Sequence, residues 1–336
     1  MPNLLSGNRA ALMLLLLGAG GLLVCVLLTS RLLIKDNDRS PTRRTIVHWV
    51  PIALMCIVCT VLRQPELAIG VIFGTSVAAI SSVAGFIAVV APVGPAPAMA
   101  QRVWPFLPVP ALLASMIALA GSLGLVEAAL LIMQGMLALL IWQTPADPGE
   151  AHLPIAAPPR FRIGADLLWT AAELALLAAL GILAAWVATG GATGGDQQST
   201  ASALAATLIS IVLVMPMIST GAVPALAGQG WVPITAQAGV VLANICVLLP
   251  AVILLHGGIR WIAHFSQPLP TSGPIWPALL FPRLTWRIDS IALVILSLPF
   301  VPLASGKLRL DYRVGGCLIL AYCVYLMLLM YNGLRI

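Results

Sequence analysis

The chain has 336 residues, 60% of them hydrophobic and 8% charged, with a mean hydropathy of +1.04. A soluble domain carries about 25% charge, so a soluble globular enzyme is excluded, and so is intrinsic disorder, which needs low hydrophobicity. Seventeen Lys and Arg against eleven Asp and Glu give a net charge of +6, yet no basic run interleaved with aromatics marks a nucleic-acid surface.

What remains is a polytopic membrane protein. A span needs about 20 apolar residues. In chain order, the apolar runs predict spans at Ala11–Leu33, Ile46–Leu62, Leu67–Ala91, Phe106–Ala120 and Leu125–Trp142. A polar, Pro-rich linker follows at 143–162. The next spans are Ile163–Val187, Ala203–Leu226, Ile234–Leu255, Ile288–Leu303 and Val314–Met330. The first run is too long for the apolar core of a signal peptide and has no small-residue cleavage site after it, so it reads as a retained span. Trp49, Trp104, Trp142, Trp169, Trp186 and Trp286 fall near span ends, where indole rings favour the headgroup level.

The expected fold class is therefore all-α: a transmembrane helix bundle of about ten spans. It divides into a first half, 1–142, and a second half, 163–336. Five spans per half, an odd number, put the halves in opposite orientation, as inverted five-helix repeats. Eleven of the basic residues, Arg43, Arg44 and Arg102 among them, fall on the side of the linker. The positive-inside bias makes that side cytoplasmic and places both termini outside, in the plasma (inner) membrane.

In inverted-repeat transporters the substrate site lies at the midplane, where interrupted helices meet. Pro51, Gly70 and Gly74 are the candidate helix-breaking positions in the first half, with Thr75 and Ser76 as hydroxyl ligands. Pro216, Gly221 and Gly239 are their counterparts in the second half, with Thr220, Gln237 and Asn244 as oxygen donors. Laying Pro65 on Pro233 brings Gly74-Thr75-Ser76 onto Leu242-Ala243-Asn244. Oxygen donors of this kind suit hard cations. Glu173, well inside the sixth span, joins the set because burying an ionisable side chain in a membrane costs several kcal/mol; a protonated or paired structural group is the alternative. Glu127 and Glu66 read as interfacial, and Gln134 as a packing hydrogen-bonder.

Other chemistry is not signalled. Cys56 and Cys59 form a C-x-x-C in a hydrophobic helix with no adjacent histidine, so they read as packing residues. There is no zinc motif, nucleophile elbow or phosphate loop. No cofactor is expected, no metal beyond a transported ion, and no enzyme activity. The partners are the lipid bilayer and a cation, with Na⁺, Ca²⁺ and H⁺ all open; no protein partner is indicated.

Gln64-Pro65-Glu66-Leu67-Ala68-Ile69-Gly70, Gly74-Thr75-Ser76-Val77 and Leu242-Ala243-Asn244-Ile245 resemble the repeat motifs of the cation/Ca²⁺ exchanger superfamily. The resemblance implies ten spans in two inverted halves and secondary-active cation antiport, Na⁺/Ca²⁺ or H⁺/cation. It also implies paired intramembrane glutamates at the positions of Ile52 and Thr220, neither of which is acidic here. The expectation is an antiporter-like cation transporter with an atypical ion site. The alternative is a non-transporting scaffold or partner-binding subunit on the same fold.

Overall fold

The computed structural model describes residues 41–93, 98–143, 195–264, 278–280 and 285–335. The spans expected at Ala11–Leu33 and Ile163–Val187, the latter with Glu173, lie outside the described residues, as does the linker after Gln143.

Each of the other eight expected spans coincides with a helix. These are α1 (Pro41–Val61), α2 (Pro65–Val90), α3 (Ala100–Leu119), α4 (Leu125–Gln143), α5 (Gly195–Leu226), α6 (Trp231–Ile262), α7 (Ile288–Ala304) and α8 (Tyr312–Arg335). Among the described residues, seven of them are long and apolar enough to cross a membrane, and α7 is a shorter apolar helix. A two-residue antiparallel pairing joins Ser122–Leu123 to Leu279–Leu280.

The apolar stretches of α2 and α6 are 94% and 72% buried, against 28% for α4 and α8. The first two helices are thus the centre of the bundle. The others form its wall, with Met116, Met133, Leu140, Leu320 and Met327 facing outward. A helix apolar all round belongs in such a centre.

Both central helices are entered through the same turn. At the end of α1, Arg63 adopts a left-handed φ of 61°, Gln64 N–H donates to Cys59 O at 2.8 Å, and Arg63 N–H donates to Thr60 O at 3.0 Å. After α5, Gly228 takes φ 78°, Gln229 N–H donates to Pro224 O at 2.8 Å, and Gly228 N–H donates to Ala225 O at 3.0 Å. Both are Schellman motifs, which satisfy carbonyls that a helix end leaves bare. Pro65 then opens α2, where its missing N–H costs nothing.

Three expectations need correction. Pro51, Gly70, Gly74, Pro216, Gly221 and Gly239 do not break their helices, which run on through all six. In the helices that carry these six residues, the departures from α geometry are π turns at Ala79–Val83 in α2 and Asn244–Leu248 in α6. Trp104 is not at the lipid interface: it is 2% exposed and meets Phe300 edge-on at 6.0 Å. Arg43 and Arg44 are not loop residues, because α1 begins at Pro41 and carries both.

The glycines instead let helices touch. A Cβ on Gly85 would lie 2.7 Å from Gly315 O, and one on Gly315 would lie 2.7 Å from Gly85 O. Small residues at a membrane crossing allow this approach. Gly85→Val and Gly315→Val are therefore expected to lower the thermal unfolding midpoint in detergent, by an overpacking cost of about 1–3 kcal/mol. Gly316→Ala, whose Cβ would meet nothing within 4 Å, should leave the midpoint unchanged or raise it.

Candidate functional site

Thr75 and Ser76 sit in the middle of α2, fully buried. In an apolar helix interior a hydroxyl gives its proton to the carbonyl one turn back. Thr75 Oγ1 donates to Val71 O at 2.6 Å, and Ser76 Oγ donates to Ile72 O at 2.6 Å. Both hydroxyls therefore present only lone pairs to the neighbouring helix.

Asn244 stands at the start of the π turn of α6, also fully buried. Its Nδ2 donates to Thr75 Oγ1 and to Ser76 Oγ, each at 3.1 Å. The reverse amide orientation would set oxygen against oxygen, so the two hydroxyls fix the amide. Asn244 Oδ1 is left without a hydrogen-bond partner among the described residues. Two turns earlier, on the same face of α6, Gln237 Oε1 is likewise buried and unpartnered. Buried polar atoms in this state call for an explanation. Among the described residues the chemistry here is uniform: carbonyl-type oxygens and hydroxyl lone pairs, all acceptors, with no carboxylate on the cluster.

The sequence-nominated residues thus divide. Thr75, Ser76 and Asn244 come together. Gln237 lies on the same face of α6. Gly70 and Gly74 bring α5 against α2, since Cβ atoms there would lie 2.6 Å from Ala206 Cβ and 2.5 Å from Ser210 Oγ. Gly221 lets Ile87 approach, and Gly239 lets Thr45 and Trp142 approach. Ile52 is fully buried and apolar at the position where the resemblance places an acid.

Thr220 lies elsewhere. Its carbonyl accepts from Arg44 Nη1 at 3.0 Å, and its hydroxyl lies 3.2 Å from His48 Nε2. Thr45, beside Arg44, donates to Ala236 O at 3.1 Å. Asn244 is eight residues (244 − 236) farther along α6, about 12 Å at 1.5 Å per residue. The Thr220 corner is therefore at one end of the central helices rather than in the cluster.

Several residues escaped the sequence reading. Arg44 and His48 are buried, on the row that continues through Ile52 and Cys56; their four-residue spacing into an apolar row was the signal. Ser210 is 1% exposed beside Gly74 and donates to Ala206 O at 2.7 Å. Asp289, 5% exposed, accepts from Tyr325 Oη at 3.0 Å; its place in the first turn of a short apolar helix concealed it. Gln134, read as a hydrogen-bonder, makes no hydrogen bond with either amide atom among the described residues. Glu127 accepts from Gly124 N–H at 2.8 Å in the first turn of α4.

Solved structures of the sodium-calcium exchanger NCX_Mj superpose on this architecture over nearly the whole chain. One, soaked with 2.5 mM Na⁺ and 0.1 mM Ca²⁺, has a TM-score of 0.56 at 15% identity, covering 96% of this chain and 98% of the other. Another, soaked with zero Na⁺ and Ca²⁺, gives 0.55 at 15% identity, covering 97% and 99%. The chain has the sodium-calcium exchanger fold. A third, soaked with 100 mM Na⁺ and 10 mM Sr²⁺, gives 0.55 at 14% identity, covering 96% and 98%. No family model and no curated protein matches the sequence. On the exchanger fold, then, this chain carries a neutral amide–hydroxyl cluster between α2 and α6.

Ser76→Ala and Asn244→Ala are expected to lower stability less than additively when combined, because each removes the other's partner. The coupling from unfolding midpoints should be near the ~0.6 kcal/mol average of interhelical hydrogen bonds in membranes, and below about 2 kcal/mol. Additive losses would mean that the contact contributes nothing.

Proposed function

We propose that the protein is a secondary-active cation transporter whose site takes a small monovalent cation, Na⁺ or K⁺, in exchange for H⁺ or, in the case of K⁺, for Na⁺. One observation carries this reading: Asn244 Oδ1 is buried, without a partner among the described residues, and fixed in orientation beside two hydroxyls that can only accept. Oxygen donors without hydrogen suit hard cations, and the number of charged ligands tunes divalent affinity. A cluster built, among the described residues, from amide and hydroxyl groups alone favours single charge. The solved structures of similar fold are of a sodium-calcium exchanger, which supports antiport as the class.

The same reading takes residues 1–142 and 163–336 as inverted halves about a cytoplasmic linker, 143–162, with both termini outside the plasma membrane. The contact between Ser76 and Asn244 supports it, since these two positions coincide when Pro65 is laid on Pro233. Glu173 is kept in this reading as an ion- or proton-linked carboxylate of the second half.

A second reading, a non-transporting scaffold or partner-binding subunit, is favoured by a different observation. The Thr220 corner, where the resemblance places an acid, holds the chain's own Arg44 and His48.

Flux in proteoliposomes separates the two. With an imposed Na⁺ or H⁺ gradient, uptake of radioactive Na⁺ or K⁺ is expected to need the gradient and to fall about tenfold or more in Asn244→Ala, equivalent to the loss of about 1.4 kcal/mol of ion binding. Uptake of Ca²⁺ alone would overturn the monovalent assignment. No flux of any cation, from protein shown to be folded and inserted, would leave the scaffold reading.

A further inference from the structure

Arg44 and His48 stand one turn apart on α1, and both reach Thr220 of α5. The cause lies in α5 itself. Pro224 has no N–H, so it cannot donate to the carbonyl four residues back, which is that of Thr220. A carbonyl in an apolar interior needs a donor from elsewhere. Arg44 Nη1 supplies one at 3.0 Å.

The hydroxyl of the same residue repeats the logic of the central cluster. Thr220 Oγ1 donates to Pro216 O at 2.8 Å, so toward His48 Nε2, 3.2 Å away, it presents a lone pair that the Nε2–H tautomer of the ring would match. Thr220 is 3% exposed, His48 5% and Arg44 8%. The corner is therefore a buried pair of oxygen acceptors, and its occupant is a charged group of the chain itself.

We propose that Arg44 is a tethered cation. Its guanidinium occupies a cation-accepting site formed at the Thr220 carbonyl, and an unattached guanidinium or small monovalent cation takes that site once the side chain is removed. While Arg44 is in place, this end of the central helices is closed to free cations. The inference does not depend on transport by the central cluster, and its test reads stability rather than flux.

The test uses the full-length protein in detergent, with choline chloride as the reference salt. Arg44→Ala is expected to lower the unfolding midpoint by about 5 °C or more. Millimolar guanidinium should return at least half of that loss, and should leave the wild type unmoved. Recovery with Na⁺ or K⁺ instead would equally support a cation site. No recovery with any of the three cations overturns the proposal.

A second arm tests the origin of the site. Pro224→Ala restores an N–H that can reach Thr220 O within α5, so Arg44→Ala should cost less in the Pro224→Ala background. An equal loss in both backgrounds overturns the proposal. Should the alanine variant yield no folded protein, Arg44→Lys and Arg44→Gln decide. Lys keeps a cation and should lie nearer the wild-type midpoint than neutral Gln, and the opposite order sinks the idea.

Discussion

Asn244 can donate to Thr75 and Ser76 because both hydroxyls have already given their protons to the helix that carries them. Water would offer every group an alternative partner. Inside a bundle the alternatives are gone, and each proton assignment forces the next. The chain of consequence runs from the carbonyls of α2, through two hydroxyls, to one amide nitrogen, and ends at a bare amide oxygen. What the described groups at the centre of the bundle present is set by this sequence of donations.

The same economy of donors governs the ends of the helices. Two Schellman turns close α1 and α5 with backbone alone. Pro224, which supplies the carbonyl used in the second of these turns, also withholds the donor that Thr220 lacks. Arg44 compensates for that from another helix. One proline thus ties the geometry of a turn to the choice of an interhelical contact. Asp289 and Tyr325 make a third such pairing on α7 and α8, where burial of a carboxylate demands a hydrogen-bond partner.

Much of this architecture was legible in the residues. Hydropathy located eight described helices, because twenty apolar residues bounded by polar ones admit little else. Thr75, Ser76 and Asn244 could be nominated because an amide and paired hydroxyls inside apolar runs each need a partner. The glycines and prolines were misread for a physical reason. In water they weaken a helix, whereas among packed membrane helices a neighbour can supply the missing donor or use the missing side chain as space. Arg44 was missed because counting basic residues by loop assumes that charges sit outside helices. The position of the π turns had no signal in composition, since it depends on how the central helices pack.

The π turn in α2 has a consequence for what that helix can touch. Gly74 and Gly85 are eleven residues apart (85 − 74), and in an uninterrupted α-helix about three turns would return them to one face. The turn at Ala79–Val83 takes up roughly one extra residue, and so rotates the second glycine by on the order of 100°. Gly74 accordingly meets Ser210 of α5, while Gly85 meets Gly315 of α8. A single helix thereby offers small-residue seams in two directions, one toward α5 and one toward α8.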